Sequence, residues 1–501
     1  MRRRQRTISR TWPAGSVEAT RALTPRADVI EEALVSDHVF EQAHGPLHTY
    51  RRTVIPEGGV VRETITWSLS IPWFGWLFAR PIGRSLARRR EEGEGSPWWA
   101  PPDRLSERQA RTLALLSMAS MVAAFANTLF TQTANFAAER FGVDDHGQGI
   151  GGAVVRLGVL LAMPVAVLAD RWGRRRTVVI TAWLAPLFCA LGAFVPSFWT
   201  LVASQTVARP MGIALALLAG VAAAEDMPRN SRAYAVSVLA LSAGLGAGVA
   251  VGSLRLADIG DDGWRLSYLL SIIWFPVAVS LMRSLLETRR FETVHRVAQP
   301  LRRGRLFLVC AVAAAGNLFV APASFFQNRY LDDIRGYSGG GIALFALATG
   351  TPASLGLVVG GRLADLFGRR RLILVCTPLS TAFIVLAFAV QGGAMWFMAL
   401  AGGFSGAVAF PAYQVYRAEL FPTGNRGRAN GWISTTALLS GSVGILAVGW
   451  LRDRGWSFAG ALAVMAVGQL VGATLAYARF PETAHLELEA LNPEDPTISD
   501  A

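Results

Sequence analysis

Acidic residues followed by arginines recur at the ends of long apolar runs in this 501-residue sequence. Asp170 precedes three consecutive arginines in LADRWGRRR, and Asp365 does so in LADLFGRRR. A carboxylate in such a place can pair with an arginine or with the N-terminus of a neighbouring helix. Gly368 lies in the second motif and Gly361 lies two residues before it; both permit close packing or a tight turn. The pattern therefore predicts contacts that connect helix ends; the alternative is that the arginines only set membrane topology.

Further acids and arginines repeat in the same register. The first copy has Glu225, Pro228 and Arg232, and the second has Glu419, Pro422 and Arg426, at an offset of 194 residues. At an offset of 195, Asp170, Gly173, Gln132 and Glu287 recur as Asp365, Gly368, Gln327 and Glu482. Several kinds of marker in one register indicate a duplication. Two six-span halves follow, related by an axis along the membrane normal.

Polar side chains follow one face of the first long apolar run. Thr128, Thr131, Gln132 and Asn135 have the spacing i, i+3, i+4, i+7, so they share a helix face. The corresponding run carries Asn317, Ser324 and Asn328, with Gln327 beside them, and the tenth run carries Phe410, Tyr413 and Tyr416. These faces predict a polar solute path between two halves. The alternatives are hydrogen bonds that hold the helices together and aromatic packing.

Two arginines lie inside apolar runs. Arg156 is roughly 21 Å and Arg209 roughly 24 Å from the ends of their helices that carry Asp170 and Glu225, at about 1.5 Å per residue. An arginine within a membrane is costly unless it faces water, a partner or a substrate. Because no acid stands in the middle of any span, a cavity with these arginines would attract small organic anions. The alternative is that either side chain reaches the interface or binds backbone carbonyls.

The composition supports a membrane protein. The chain has 48 basic and 35 acidic side chains, but only 17% of residues are charged and 52% are apolar. A soluble chain carries about 25% charged residues, and a disordered chain has few apolar ones. Because the basic residues lie between apolar runs, we expect no nucleic-acid partner. The cysteines at 189, 310 and 376 lie in such runs without metal-ligand spacing, so we expect packed thiols and no metal site.

Twelve runs from residue 111 onward are long enough to span a bilayer. They cover residues 112–135, 147–169, 177–195, 198–222, 233–256, 265–286, 305–328, 341–364, 372–390, 394–418, 430–450 and 457–479. The even-numbered loops hold seventeen arginines and the odd-numbered loops seven. This asymmetry predicts that the even loops and both termini lie in the cytoplasm.

The residues before the first span predict a different kind of structure. We expect disorder in the first 35 residues, with a weak helical pattern near 29–34. Residues 47–55 and 60–70 alternate around Pro56-Glu57-Gly58-Gly59, which predicts a β-hairpin. The aromatic stretch 71–79 precedes an arginine cluster. It is typical either of an interfacial helix on an anionic leaflet or of the core of a small soluble domain.

The predicted organisation therefore has five parts. They are an N-terminal cytosolic extension at 1–110, a six-helix half at 111–290, a central loop at 291–304, a second half at 305–480 and a tail at 481–501. The predicted fold class is an all-α membrane protein of twelve transmembrane helices, preceded by the small extension with its hairpin and interfacial helix.

Residues 111–490 resemble the major facilitator superfamily. GRLADLFGRRR, from Gly361 to Arg371, resembles its signature loop, and Arg209 with Gly212 resembles its fourth-span motif. AELFPTGNRG and PETAHLELE are similar to segments of the sugar-porter branch and its organic-solute relatives. The resemblance implies a cytoplasmic gate whose ion pairs lock the outward-open state. That gate would comprise Asp170, Gly173, Arg174, Glu225, Arg232, Gly361, Asp365, Gly368, Arg369, Glu419 and Arg426.

The expected function is secondary transport of a small polar solute, an organic anion or a sugar-like metabolite, across the plasma membrane by alternating access. The expected substrate-binding residues are Thr128, Thr131, Gln132, Arg156, Arg209, Asn317, Gln327 and Tyr413. The alternatives are a drug or metabolite efflux carrier and, in another class, a transporter-like membrane sensor. We expect a monomer without cofactor or enzymatic activity; a coupling proton and uncoupled transport remain alternatives.

Overall fold

A computed structural model of the chain describes most of its residues. They are 5–89, 97, 99–143, 150–152, 154–155, 158–253, 256, 259–288, 302–337, 339–422, 425–484, 486 and 491–492. The structure divides into two compact units, residues 1–118 and residues 119–501.

The first unit contains a five-stranded antiparallel sheet with the order β1-β5-β4-β3-β2. Its strands are β1 (Arg6–Pro13), β2 (Glu31–Ser36), β3 (Val39–His44), β4 (Leu47–Glu57) and β5 (Val60–Leu69). The predicted hairpin is confirmed: Glu57 pairs with Val60 across Gly58 and Gly59, both of which have positive φ. Such a two-residue turn matches the twist of the flanking strands.

The disorder expected in the first 35 residues is wrong for the described part of that segment. β1 pairs with β5 along its whole length, α1 (Val17–Ala22) buries Ala19 and Ala22, and β2 replaces the helical pattern near 29–34. Alternate residues of β1 are exposed, so its sequence carries a weak apolar signal. The partner strand supplies the hydrogen bonds and the buried surface that fix this segment.

A helix covers the sheet of the first unit. α2 (Gly75–Ala87) packs Ile82 and Leu86 against a core that includes Trp67. In the same unit, the buried Arg52 binds Glu32 at 2.6 Å. Burial, and then the adjacent Glu32 charge, raises the pKa of Tyr50. Ile71 and Phe78 also pack against this core, so the aromatic stretch contributes to it. The class "all-α" needs correction to include the sheet.

The second unit is built from apolar helices, and α3 leads into it from the first. Among the described residues, eleven helices are long and apolar enough to cross a membrane. The α-helices are α3 (Glu107–Arg140), α4 (Ala162–Trp172), α5 (Arg174–Leu191), α6 (Phe198–Asp226), α7 (Arg232–Gly252), α8 (Trp264–Leu269), α9 (Phe275–Ser284), α10 (Arg303–Arg329), α11 (Gly339–Ala353), α12 (Leu355–Phe367), α13 (Arg369–Ala387), α14 (Gly393–Glu419), α15 (Arg426–Asp453) and α16 (Phe458–Arg479). The eleven long helices count α8 with α9 as one and α11 with α12 as one, and they do not include the short α4. The second predicted run, 147–169, lies partly outside the described residues; α4 begins within it.

Two sharp turns mark one end of these helices, which we call the Arg-rich end. α4 ends and α5 begins at Gly173, with φ 104° and ψ 150°; α12 ends and α13 begins at Gly368, with φ 98° and ψ 144°. Glycine is the residue that adopts such a positive φ without strain. The duplicated glycines thus reverse the chain in the same way at both places.

Candidate functional site

Seven charged side chains are buried together with their partners at the Arg-rich end. They are Arg174, Glu225, Arg232, Asp365, Arg369, Glu419 and Arg426, and none is more than 5% exposed. We call this group the charged cluster. Burial of a charge is costly unless a partner and hydrogen bonds compensate it, so the contacts within the cluster determine its free energy.

Glu225 lies in the last turn of α6 and is bound from both parts of the repeat. Its Oε1 accepts a hydrogen bond from Arg426 Nη1 at 3.0 Å and one from Arg174 Nη2 at 3.4 Å. Its Oε2 accepts from Thr288 Oγ1 at 2.8 Å. Arg426 begins α15, so this carboxylate connects the first half of the repeat to the second.

Glu419 has the corresponding position at the end of α14. Its Oε1 lies 3.3 Å from Arg232 Nη1 and 3.2 Å from Arg369 Nη2. Arg232 begins α7 in the first half. Each repeated glutamate is therefore bound by the repeated arginine of the other half. The sequence indicates the four residues, whereas the crossed pairing emerges only from the three-dimensional packing.

Asp365 connects the halves through backbone groups. Its carboxylate accepts from Ala233 N at 3.3 Å and Tyr234 N at 3.0 Å, in the first turn of α7. It also accepts from Arg369 Nη2 at 2.9 Å. The N-terminus of a helix stabilises an acid at this position. The side chain of its counterpart Asp170 lies outside the described residues.

Two further glutamates bind the turns at the repeated glycines. Glu287 accepts from Arg175 N at 3.0 Å, and Glu482 accepts from Arg369 N at 3.0 Å and Arg370 N at 3.2 Å. These N–H groups lack partners within their own helices. In the sequence, both glutamates are markers of the repeat, and their offset of 195 residues is the signal for this role.

A cavity of about 210 Å³ lies between the halves. Its lining includes Val221, Val236 and Asn430. They are four residues, or about one helical turn, from Glu225, Arg232 and Arg426 respectively. Ala418, next to Glu419, also lines it. The charged cluster therefore lies about one helical turn nearer the Arg-rich end than these lining residues. The polar lining residues are Ser120, Gln414, Arg417 and Asn430.

Arg417 is a cavity residue that the sequence does not single out. It stands at the end of the tenth predicted span, whereas Arg156 and Arg209 lie well inside theirs. Its Nη1 donates to Gln414 Oε1 at 3.2 Å. Its Nη2 donates to Ser434 Oγ at 2.5 Å and to Asn430 O at 3.4 Å.

The predicted substrate-binding residues do not line this cavity, and their role stays a prediction. Thr128, Gln132, Arg209, Asn317 and Gln327 are half-buried, and Thr131 is exposed. Tyr413 packs against an apolar core cluster, and its hydroxyl contacts Thr377 Oγ1 at 3.2 Å. These seven residues are absent from the cavity lining, and Arg156 lies outside the described residues. The polar helix faces predicted from the sequence therefore do not line this cavity.

The chain matches the Major Facilitator Superfamily over residues 116–350 and 306–495. The chain belongs to this family. It is therefore a multi-pass membrane protein of a transporter family rather than an enzyme, which confirms the resemblance read from the motifs.

Two relatives and one solved structure extend the comparison. The chain is 26% identical to the shikimate transporter of Escherichia coli strain K12 over 246 residues, 42% of this chain and 55% of the relative's length. It is 26% identical to the cis,cis-muconate transport protein of Acinetobacter baylyi over 308 residues, 57% and 73% of the two chains. The proton:xylose symporter XylE, solved with 6-bromo-6-deoxy-D-glucose, has a TM-score of 0.67 at 15% identity, covering 77% of this chain and 98% of its own. XylE supports the fold.

Proposed function

We propose that this protein is a secondary transporter that moves a small polar solute across the plasma membrane by alternating access. The observation that carries the proposal is the crossed pairing of the charged cluster. Glu225 of one half binds Arg426 of the other, and Glu419 binds Arg232. The charged cluster is the cytoplasmic gate, and the described state is closed at that end.

The proposal includes twelve membrane helices in two six-helix halves, residues 111–290 and 305–480. The repeated turns at Gly173 and Gly368 and the repeated contacts of Glu287 and Glu482 support this duplication. The arginine excess in the even loops supports a cytoplasmic position of both termini. The transporter works as a monomer in this proposal, because each copy of the chain supplies both halves.

Ion pairs suit a gate that must open repeatedly. Within the closed cluster, the charges attract each other but have lost their hydration. When the halves separate, water hydrates both partners and returns much of the desolvation cost. The closed and open states therefore differ by a small free energy, although removing one partner alone destabilises the closed state.

The solute class follows from the relatives and from the charges of the chain. Shikimate and muconate are carboxylates, so the two relatives support an organic anion. The fold shared with XylE keeps a sugar-like metabolite as a second candidate. Export of a drug or metabolite and proton coupling through the acids of the charged cluster remain alternatives to simple uptake.

Cysteine accessibility tests the gate. Ala240 lines the cavity, so a cysteine there, in a variant without the three native cysteines, reports whether the Arg-rich end is open. Glu225→Gln removes a charge-assisted contact worth about 1.5 kcal/mol or more, which corresponds to about a tenfold shift in the open fraction. We expect a maleimide added to inside-out vesicles to label this cysteine faster by about that factor.

Arg371→Gln is the matched control. Arg371 is exposed and lies two residues from the buried Arg369. This variant should leave labelling unchanged. If Glu225→Gln and Arg426→Gln also leave it unchanged in folded protein, the cluster is not a gate.

A further inference from the structure

We propose that Arg417 binds a carboxylate group of the transported solute within the cavity beside the charged cluster. The proposal rests on the transporter function and narrows its solute to a small organic anion. It concerns a residue of α14 that lies two positions before the gate residue Glu419.

The first step concerns charge. Arg417 stands in the last turn of a helix that is long and apolar enough to cross a membrane, and it lines the cavity. An arginine in such a helix is costly unless it faces water, a partner or a substrate. Among the described residues, its guanidinium contacts only neutral groups: the Gln414 amide oxygen, the Ser434 hydroxyl and the Asn430 carbonyl. The nearby carboxylate of Glu419 contacts Arg232 and Arg369 instead. Arg417 therefore offers a positive charge that an external anion can neutralise.

The second step concerns hydrogen bonding. Arg417 Nε is buried and has no acceptor within the described part of the chain. A guanidinium presents its donors in a planar fork that matches the two oxygens of a carboxylate. A bound carboxylate would compensate the charge and supply acceptors that the neutral neighbours provide incompletely.

The third step concerns space. The cavity volume of about 210 Å³ equals about seven water molecules at about 30 Å³ each. Gln414, Asn430 and Ser120 provide polar contacts, whereas Leu239 and Phe410 contribute apolar surface. Mostly apolar walls with a few polar groups are typical of sites for small molecules. The cavity thus suits a compact acid with one charged end.

The position of Arg417 also connects the site to the gate. The Asn430 side-chain amide donates to Arg417 O at 3.2 Å and to Arg426 O at 3.0 Å. Arg426 belongs to the charged cluster and binds Glu225. A solute held by Arg417 would therefore contact the same helix segments that must separate when the gate opens.

Binding to purified full-length protein tests the proposal. The probes are shikimate, cis,cis-muconate, the neutral methyl ester of shikimate, and xylose, measured by calorimetry at neutral pH. We expect at least one carboxylate to bind and the ester and xylose to bind more weakly. Arg417→Gln should weaken carboxylate binding about tenfold to a hundredfold, the range for a charge-assisted hydrogen bond. Arg417→Lys, which keeps the charge but not the fork, should lose less.

Ser434→Asp provides an independent variant that retains the arginine. Because Ser434 Oγ contacts Arg417 Nη2, an aspartate there would occupy the guanidinium and weaken carboxylate binding as well. Arg371→Gln, on the exposed side of α13, should bind carboxylates as the wild type does.

The outcomes separate this inference from the proposed function. Carboxylate binding that is unchanged in folded Arg417→Gln and Ser434→Asp overturns the inference, as does binding of xylose alone. In either case the protein remains a transporter if proteoliposomes take up the bound solute. Absence of uptake of every bound probe, together with gate variants that do not alter cysteine labelling, contradicts the transporter function itself.

Discussion

Two adjacent glycines of α12 face different helices. A Cβ at Gly361 would contact Ser237 Oγ and lie 2.8 Å from Ala233 O, both on α7 of the other half. A Cβ at Gly360 would instead meet the backbone of Val408 on α14, within the same half. The serine side chain can rotate, but the backbone carbonyls cannot move without shifting a helix. The same substitution at these two positions therefore acts on different interfaces.

Gly361→Ala should favour opening at the Arg-rich end. The added methyl group overpacks the contact between the halves, at a cost of about 1–3 kcal/mol, and the open state avoids that cost. We expect faster maleimide labelling of a cysteine at position 240 and slower transport. The measurement is the labelling rate in inside-out vesicles.

Gly360→Ala is the internal control for this prediction. The added methyl group would clash with Val408 in the same half, in both the open and the closed state. We therefore expect a lower melting temperature and no faster maleimide labelling of the cysteine at position 240. Equal labelling in the two variants would show that α12 and α7 do not separate when the gate opens.

The sequence predicts the members of the charged cluster better than their partners. Acids and arginines at repeated positions are visible as a pattern, because duplication preserves spacing. The pairing of Glu225 with Arg426 depends on how the two halves face each other, which no local spacing encodes. Arg417 was missed for a related reason: near a span end, an arginine resembles a topology signal until its neutral partners are known.

At the scale of the element, α2 carries an exposed stripe opposite its packed face. Trp76 is 75% exposed, and Arg80 and Arg84 follow at intervals of four residues, which places all three on one side of the helix. Leu77, 53% exposed, extends the apolar end of the stripe. Tryptophan beside arginines is typical of helices at a membrane interface. The interfacial role therefore stays a prediction alongside the packing role.

A fluorescent label at position 76 tests this stripe. In proteoliposomes, an environment-sensitive dye attached to a cysteine at 76 should shift to the blue when phosphatidylglycerol is added to phosphatidylcholine. Each arginine near an anionic surface contributes about 1 kcal/mol of attraction, so Arg80→Gln with Arg84→Gln should reduce the shift. The same dye at Glu57, beside the hairpin turn, should show no shift. A response that is identical at both positions would contradict the interfacial assignment.

Elements differ in how far the sequence predicts them. The eleven long helices match predicted spans because each apolar run is sufficient by itself. The β4–β5 hairpin was predictable from Gly58 and Gly59, whose positive φ marks the turn. β1 was not, because a half-exposed strand with Arg6 and Arg10 acquires its structure from pairing with β5. The local sequence pattern does not predict a strand that is stabilised mainly by pairing with a distant strand.

At the scale of the whole molecule, the two units are built from different elements, a sheet in the first and apolar helices in the second. Within the first unit, the sheet contacts the first turn of α3: His48 Nδ1 lies 2.7 Å from Glu107 Oε1, and Ser70 Oγ lies 3.2 Å from the same oxygen. The charged cluster and the cavity lining, in contrast, consist of residues beyond 119. The second unit therefore contains the complete proposed transport site, and the sheet unit is available for another role.

Deletion of residues 1–105 distinguishes a transporter from a sensor. The deletion leaves α3 intact from Glu107 and removes no residue of the cavity or the charged cluster. If transport is the function, the KM for the bound solute in proteoliposomes should stay within about twofold of the wild-type value, because distant, independent sites couple by only a few tenths of a kcal/mol. The maximal rate per folded molecule should also persist. A sensor that reports through its sheet would instead retain solute binding, measured by calorimetry, and show no uptake in either form. Binding with uptake in the full chain but none in the folded deletion variant would assign the sheet unit a part in the transport cycle itself.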